Sequence, residues 1–229
     1  MRLFSTKILS AEAGPLIVLF LAAALFLIFG HIAEEVIEGD WLAFDRTLIS
    51  LFRDFANPTH LAGPFWLQEA ARDVTSLGST VVLAAVTVLV TAYLLLAGRK
   101  HAAALLLGAV VGGQICSTIL KMAIDRPRPD FLVGSPVVYT ASFPSGHAML
   151  SAVTYLTLAV LLSRLEPRRA LKGYYLGVGI LLTVAVGISR VYLGVHWPTD
   201  VLAGWCAGAA WAMVCWAAAL WVQGRQIRS

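Results

Sequence analysis

Long apolar stretches alternate with short polar connections along most of the chain, and six of these stretches approach the length of a membrane span. A helix that crosses the hydrocarbon core of a bilayer needs about 20 mainly apolar residues. The pattern therefore predicts an all-α protein, a six-transmembrane-helix bundle, and the lack of repeats or linkers favours one domain over residues 1–229. The predicted spans are Pro15 to His31, Ser79 to Ala97, Ala102 to Leu120, Ala148 to Leu162, Gly173 to Leu193 and Val201 to Val222.

The first apolar stretch is preceded by Arg2 and Lys7, as in a signal peptide. The apolar run itself, Leu16 to Gly30, is long for a signal peptide, and no convincing small-residue cleavage site follows it. We therefore expect a retained first helix.

The connection from Ile32 to Gly78, between the first two predicted spans, has a different pattern. From Trp41 to Phe55, large apolar residues recur at helical spacing with charged residues between them. This predicts an amphipathic helix that lies in the membrane interface. A helix packed on the bundle as a cap fits the pattern equally well, and either helix would border an entrance for lipid.

The composition strengthens the prediction of a membrane protein. The chain is 59% hydrophobic and 13% charged, whereas soluble domains carry about 25% charged residues, and its mean hydropathy is +0.80. The net charge of +4 does not indicate nucleic-acid binding, because the basic residues stand near helix ends. No metal or other cofactor is expected, since the cysteines lie inside apolar stretches as small hydrophobic residues: Cys116, Cys206 and Cys215.

The distribution of lysine and arginine predicts the orientation, because these residues concentrate on the cytoplasmic side of membrane proteins. An even number of spans puts both termini on one side. With the termini inside, ten of the 17 basic residues fall on the inner side and seven on the outer side. We therefore predict a multi-pass protein of the inner (plasma) membrane with cytoplasmic termini.

Three polar segments, each at an end of an apolar stretch, carry the candidate chemistry. They are Lys121 to Pro129, Phe143 to His147 and Ser189 to Asp200. The predicted topology places all three on the extracytoplasmic (periplasmic) face. Together they supply two histidines, an aspartate, a lysine and several arginines, a set that suits chemistry on a phosphate group at a membrane surface.

His196 and Asp200 stand on either side of Pro198, a residue that favours the first turn of a helix. A carboxylate at this spacing can hold one ring nitrogen of the histidine and leave the other unprotonated, as a nucleophile requires. For this pair taken alone, a helix-capping aspartate beside an interfacial histidine is the alternative.

Ser145, Gly146 and His147 stand before a strongly apolar helix. Free N–H groups and the positive end of the helix dipole attract an oxyanion at such a place. The serine hydroxyl adds a donor, the glycine lets the backbone approach closely, and His147 is suited to protonate a leaving oxygen. An ordinary capped helix start with an interfacial histidine is the alternative.

Lys121, Arg128 and Arg190 add positive charge to the three segments. Guanidinium groups bind phosphate oxygens with two donors, whereas lysine acts as a point charge. Three such cations would offset the charge that builds on the phosphoryl oxygens during transfer. Taken singly, a basic residue at a helix end also fits an ordinary contact with lipid headgroups.

The three segments together resemble the three-part signature of the type 2 phosphatidic acid phosphatase superfamily. The spacings agree: six residues separate Lys121 from Arg128, five separate Arg190 from His196, and three separate His196 from Asp200. The signature extends from Lys121 to Asp200, and the six predicted spans extend the resemblance over most of the chain.

The resemblance implies a six-helix membrane phosphatase that needs no metal. It implies that His196 is the nucleophile and forms a phosphohistidine, that Asp200 orients it, and that His147 is the general acid. Arg126 is not a signature position and is expected to assist only peripherally. The residues implied to hold the phosphate are Lys121, Arg128, Ser145, Gly146 and Arg190.

The expected reaction is hydrolysis of the terminal phosphate of a membrane lipid whose chains remain in the bilayer. Phosphatidic acid, phosphatidylglycerol phosphate and undecaprenyl diphosphate all suit the predicted site. Transfer of the phosphate to another lipid instead of water is an alternative. Vanadate-dependent haloperoxidases share the signature, but six spans argue against that class. The complete set of residues argues against a lipid-phosphate-binding protein without catalysis.

Overall fold

The structure, a computed structural model, describes residues 2–55, 57, 59–129 and 140–226, with side chains described from residue 14 to residue 222 within these ranges. The extended elements of regular secondary structure in this part of the chain are all helices. Outside the helices, an isolated β-bridge joins Arg53 to Leu61. The predicted all-α class is confirmed. The helices are α1 (Arg2–Glu38), α2 (Leu42–Ser50), α3 (Phe65–Ser76), α4 (Thr80–Leu96), α5 (Lys100–Ala123), α6 (Gly146–Leu165), α7 (Arg169–Tyr192) and α8 (Pro198–Gln226).

Five of the described helices are long and apolar enough to cross a membrane, namely α1, α5, α6, α7 and α8. Helix α4 has 17 residues and passes the same test only together with α3, from which it is bent by 48°. The number of candidate spans is therefore five, or six if α3 and α4 count as one. Many large apolar side chains on these helices are exposed, among them Leu16, Phe20 and Leu27 of α1, as expected for a surface in contact with lipid.

The connection between the first and second predicted spans differs from its prediction in two ways. Helix α2 ends at Ser50 rather than near Phe55, because the chain turns at Leu51 and Phe52. Helix α3 was not predicted, since its sequence lacks a long periodic apolar run. The buried residues of α2 are Asp45 and Ile49, and Ile49 packs against the end of the bundle, as in the cap alternative.

Helix α6 lies at the centre of the part of the bundle that carries the polar segments, where it packs against α5, α7 and α8. Two glycines of α8 let these backbones approach. A Cβ atom at Gly204 would lie 2.8 Å from the carbonyl oxygen of Ser145, and one at Gly208 would lie 2.4 Å from that of Met149. Small residues four apart allow such close helix packing in membranes. The contact holds the start of α8 against the start of α6.

Replacement of Gly204 by alanine is expected to lower both stability and activity, because the added Cβ would collide with the Ser145 carbonyl. Overpacking of this kind costs about 1–3 kcal/mol. Gly177→Ala, in α7, is the matched control, since a Cβ there meets nothing within 4 Å. Thermal unfolding in detergent checks the prediction, and equal melting temperatures for the two variants would contradict it.

Candidate active site

The candidate residues occupy four helix ends that face the same side of the bundle, because α5 to α8 run alternately up and down. Lys121 is in the last turn of α5 and Arg190 in the last turn of α7. Ser145 is the N-cap of α6, and Asp200 is in the first turn of α8. The three polar segments of the sequence are thus brought together in the structure.

His196, in the turn before α8, has a different partner at each ring nitrogen. Its Nδ1 atom lies 3.4 Å from Oδ2 of Asp200, and its Nε2 atom lies 3.2 Å from Nη1 of Arg128. Because a guanidinium group only donates hydrogen bonds, Nε2 must accept and is unprotonated, so that the proton resides on Nδ1. The unprotonated nitrogen therefore faces the cation.

Burial keeps His196 uncharged near neutral pH. The residue is 2% exposed, and desolvation lowers its pKa to about 4, although the hydrogen bond to Asp200 and the charge of this carboxylate act in the opposite direction. Burial also lowers the pKa of Arg128, while the Asp200 carboxylate opposes this effect. A neutral imidazole with an unprotonated nitrogen is the form that attacks phosphorus.

Asp200 is completely buried, and both of its carboxylate oxygens accept hydrogen bonds. The backbone N–H of Trp197 donates to Oδ2 over 2.9 Å, and the hydroxyl of Ser142 donates to the same oxygen. Arg126 donates to Oδ1 over 2.6 Å. The first of these bonds caps the start of α8, so that the carboxylate which meets His196 is also part of the helix terminus.

Arg126 is more central than the sequence suggested. Its guanidinium group, 9% exposed, contacts Asp200 through Nη1 and Asp45 of α2 through Nη2, the latter at 2.7 Å. It also lies over the ring of Trp197, 5.5 Å from the ring centroid. The expectation that Arg126 assists only peripherally is not in accord with this position, because the residue bridges two buried carboxylates.

The start of α6 is closed by hydrogen bonds of Ser145, which is buried. Its backbone N–H donates to the carbonyl of Asp200 over 3.0 Å, and its Oγ accepts from the N–H of Ala148 over 3.4 Å. A hydroxyl that accepts one bond still has its own hydrogen to donate. At Gly146 a Cβ atom would lie 3.5 Å from Cε of Lys121, an ordinary contact, so that packing within the protein does not itself require glycine there.

The three predicted cations donate hydrogen bonds to oxygens of loop residues and of helix α3. Lys121 donates to the carbonyl of Ala141 over 2.9 Å, and Arg128 donates to the carbonyl of Val195 over 2.7 Å and to Thr140. Nη1 of Arg190 donates to Oγ1 of Thr75 over 3.1 Å, while its buried Nε atom has no hydrogen-bond partner among the described residues. An unpaired buried donor is costly, so that an acceptor bound beside it would stabilise this group.

His147 lies beside the same group. A Cβ atom at Gly78 would be 3.3 Å from Cβ and from Cδ2 of His147, which places the imidazole against the loop between α3 and α4. The positive charges that act on this imidazole near neutral pH are those of Arg190, Arg128 and Lys121. The two histidines and the cations thus form one electrostatic unit.

Several residues that contact the predicted ones were missed from the sequence. They are Asp45, Thr75, Ser142 and Thr199, and all four are joined to a predicted residue or to Arg126 by hydrogen bonds. Nothing in the sequence distinguished Asp45, because an amphipathic pattern favours charged residues on the exposed face of the helix. The other three are hydroxyl residues without a distinctive pattern.

Cavity size alone would not have located these residues. Cavities of about 590 and 360 Å³ lie between the helices, and both have mainly apolar linings that include Leu105 and Trp216. Neither is lined by a residue of the polar segments. Within the described ranges, no group of three His, Cys, Asp or Glu side chains is arranged to hold a metal ion.

A buried histidine between a carboxylate and an arginine, at adjoining ends of apolar helices, is an arrangement suited to a membrane enzyme that attacks a phosphate group. The chain belongs to the PAP2 superfamily, whose family model matches residues 102–223, more than half of its length. The resemblance found in the sequence is thereby confirmed, and with it the prediction of a phosphatase.

Individual proteins of this superfamily are similar to the chain over different lengths. Phosphatidylglycerophosphatase B from Bacillus subtilis is 37% identical over 147 residues, which are 62% of this chain and 70% of that protein. An undecaprenyl-diphosphatase from Sulfolobus acidocaldarius is 38% identical over 105 residues, 44% of this chain and 45% of its own length. The chain therefore spans less than half of the second relative.

The fold also has a solved counterpart. The crystal structure of a transmembrane PAP2 type phosphatidylglycerolphosphate phosphatase from Bacillus subtilis superimposes with a TM-score of 0.72 at 29% sequence identity. The match covers 86% of this chain and 94% of that structure. It therefore extends beyond the region that the family model matches, into the part of the chain that precedes residue 102.

Proposed function

We propose that the protein hydrolyses the terminal phosphate of a membrane lipid phosphate or diphosphate through a phosphohistidine on His196. The observation that carries this proposal is the pair of contacts made by the imidazole, with Asp200 at Nδ1 and Arg128 at Nε2. Such an arrangement fixes the nucleophilic nitrogen beside a cation that binds phosphate oxygens.

In the first step, the lone pair of Nε2 of His196 attacks phosphorus, and the bond between phosphorus and the leaving oxygen breaks. His147 gives its proton to that oxygen. In the second step, water attacks the phosphohistidine, His147 takes up a proton from the water, and the P–N bond breaks to release inorganic phosphate. Each histidine thus returns to its initial state.

The cations would hold the phosphate during both steps. The buried Nε atom of Arg190, unpaired among the described residues, supports a place for a phosphate oxygen. Lys121 next to Gly146, and the N-terminus of α6, would bind the others. A bound phosphate also brings negative charge to this cluster and so favours the protonated imidazole that a general acid needs.

The reaction would take place on the extracytoplasmic side of a six-span protein with cytoplasmic termini, in which α3 and α4 form one bent span. The excess of basic residues on the inner side supports this orientation. Exposed apolar side chains of the outer connection support a position of α2 and α3 in the membrane interface, where Phe44, Leu51 and Trp66 would face lipid. A lipid substrate would then reach the site laterally.

The experiment that tests the proposal is phosphate release by the purified protein in detergent from a panel of lipids. Phosphatidic acid, phosphatidylglycerol phosphate and undecaprenyl diphosphate form the panel, and the names of the relatives make the last two the first choices. Release from at least one lipid, together with little release from a water-soluble sugar phosphate, is the expected result. No release from any of them would contradict the proposal.

Activity is expected to persist in EDTA, because the proposed mechanism assigns the attack to a histidine and the offset of charge to protein cations. Turnover of the preferred lipid should be equal within about twofold with EDTA and with Mg²⁺. A catalytic metal stabilises the transition state by several kcal/mol, so that its removal would lower turnover far more than twofold. Initial rates in the two buffers check this expectation. A loss in EDTA that Mg²⁺ restores would show that the mechanism is incomplete.

A further inference from the structure

Asp45 is a buried carboxylate on a helix that precedes the region matched by the family model. Its side chain is completely buried, and it accepts from the backbone N–H of Thr199 over 2.9 Å and from the Thr199 hydroxyl over 2.6 Å. Arg126 donates to it over 2.7 Å. Burial of a carboxylate is costly unless it is paired and fully hydrogen-bonded. The donors to Asp45 are Thr199, at the start of α8, and Arg126, which also binds Asp200.

Arg126 connects this carboxylate to the catalytic pair. One guanidinium nitrogen contacts Asp45, while the other contacts Asp200 over 2.6 Å and the Thr199 hydroxyl over 2.8 Å. A planar guanidinium held at two nitrogens has a fixed orientation. The Asp200 oxygen that Arg126 binds is Oδ1, so that Oδ2 remains directed towards Trp197 and His196.

We propose that Asp45 is a positioning residue for the phosphatase reaction: it fixes Arg126, and through Arg126 it fixes the carboxylate that orients His196. The inference rests on the proposed function of His196. Asp45 also shares the positive charge of Arg126 with Asp200. Without Asp45 the whole charge of the guanidinium would act on Asp200, which would then stabilise the positive charge on the attacking imidazole less.

The geometry separates this role from simple packing. Ile49, one turn further along α2 and also completely buried, packs against Trp197 and Val201 and so joins α2 to the bundle through apolar contacts. A substitution of Ile49 therefore weakens the packing of α2 on the bundle and leaves the contacts of Arg126 with Asp45 and Asp200 in place. Asp40, exposed on the same segment, is the matched acidic control.

The first experiment compares Asp45→Asn, Ile49→Ala and Asp40→Asn in full-length protein with the preferred lipid. For Asp45→Asn we expect kcat to fall about 10- to 100-fold, since a misplaced catalytic group costs on this order, with KM changed less than about threefold. Ile49→Ala should lower the melting temperature with kcat near that of the wild type. Asp40→Asn should change neither. Asp45→Asn with the kcat of the wild type would overturn the proposal.

The second experiment asks whether Asp45 acts through Arg126. Arg126→Lys keeps the positive charge and loses the fork that holds two carboxylates. If the proposal is correct, adding Asp45→Asn to this variant lowers kcat much less than it does in the wild type, because coupled residues are not additive. Equal effects in both backgrounds would overturn the proposal. Asp45→Glu, which restores the charge, should recover part of the lost kcat.

Thr199→Ala decides the question if Asp45→Asn is not recovered as folded protein. It removes one hydrogen bond to Asp45 and one from Arg126 without removing a charge, and we expect a smaller fall in kcat, about three- to tenfold, at unchanged KM. A kcat equal to that of the wild type would overturn the inference. The wild-type protein is assayed beside each variant. If the wild type itself released no phosphate, the result would contradict the proposed function and not the role of Asp45.

Discussion

His196→Ala is expected to abolish turnover while leaving the protein folded. Loss of a nucleophile that forms the covalent intermediate lowers kcat by roughly a thousandfold or more. The fold should persist because Asp200 keeps the hydrogen bonds from Ser142, Trp197 and Arg126 when the imidazole is removed. No buried carboxylate is therefore left without a partner.

Two measurements check this expectation. Phosphate release and the melting temperature in detergent are compared between the wild type, His196→Ala and His60→Ala, a control at an exposed histidine between α2 and α3. Rapid alkaline quenching of a reaction with phosphate-labelled lipid should trap a phosphorylated enzyme with the wild type and with His60→Ala only. Near-normal phosphate release by His196→Ala would remove this residue from the role of nucleophile.

The parts of the site that were predictable from sequence are those with local determinants. Ser145 caps α6 and Pro198 opens α8, so that each helix end can be recognised from a few neighbouring residues. The alternation of apolar stretches then places these ends on one side of the bundle. Local patterns and helix counting were together sufficient to gather the histidines, Asp200 and the cations.

The role of Asp45 could not be predicted in the same way, because it depends on contacts between distant parts of the chain. Asp45 and Thr199 are 154 residues apart, and Asp45 and Arg126 are 81 residues apart. In the amphipathic pattern of α2 a charged residue is expected on the exposed face. Only the docking of α2 on the end of the bundle explains why this carboxylate is buried.

The helix boundaries show a similar division. Helix α6 begins at Gly146, within two residues of the predicted start of the fourth span at Ala148. Helix α1, in contrast, continues to Glu38, beyond the predicted end of the first span at His31. Apolar composition detects the part of a helix that matches the bilayer, but the polar turns beyond it are stabilised by backbone hydrogen bonds that hydropathy does not register.

His147→Gln is expected to reduce activity in a way that depends on the leaving group of the substrate. A phosphate monoester such as phosphatidic acid releases an alkoxide, which needs a proton as the P–O bond breaks. Loss of a general acid costs about 10²- to 10⁴-fold in such a reaction. p-Nitrophenyl phosphate releases a stable anion and needs little help, so that its hydrolysis should be reduced far less by the same substitution.

The ratio of kcat/KM for the two substrates is the quantity to measure, in the wild type, His147→Gln and Gly78→Ala. A Cβ at Gly78 would lie 2.4 Å from Val186 and 3.3 Å from His147, so that Gly78→Ala should displace the imidazole and show the same selective loss on phosphatidic acid to a smaller degree. Because both substrates present the same phosphate group to the cations, a change in phosphate binding lowers both activities alike. A selective loss on phosphatidic acid in His147→Gln therefore isolates proton donation, whereas equal losses on both substrates would exclude His147 as the general acid.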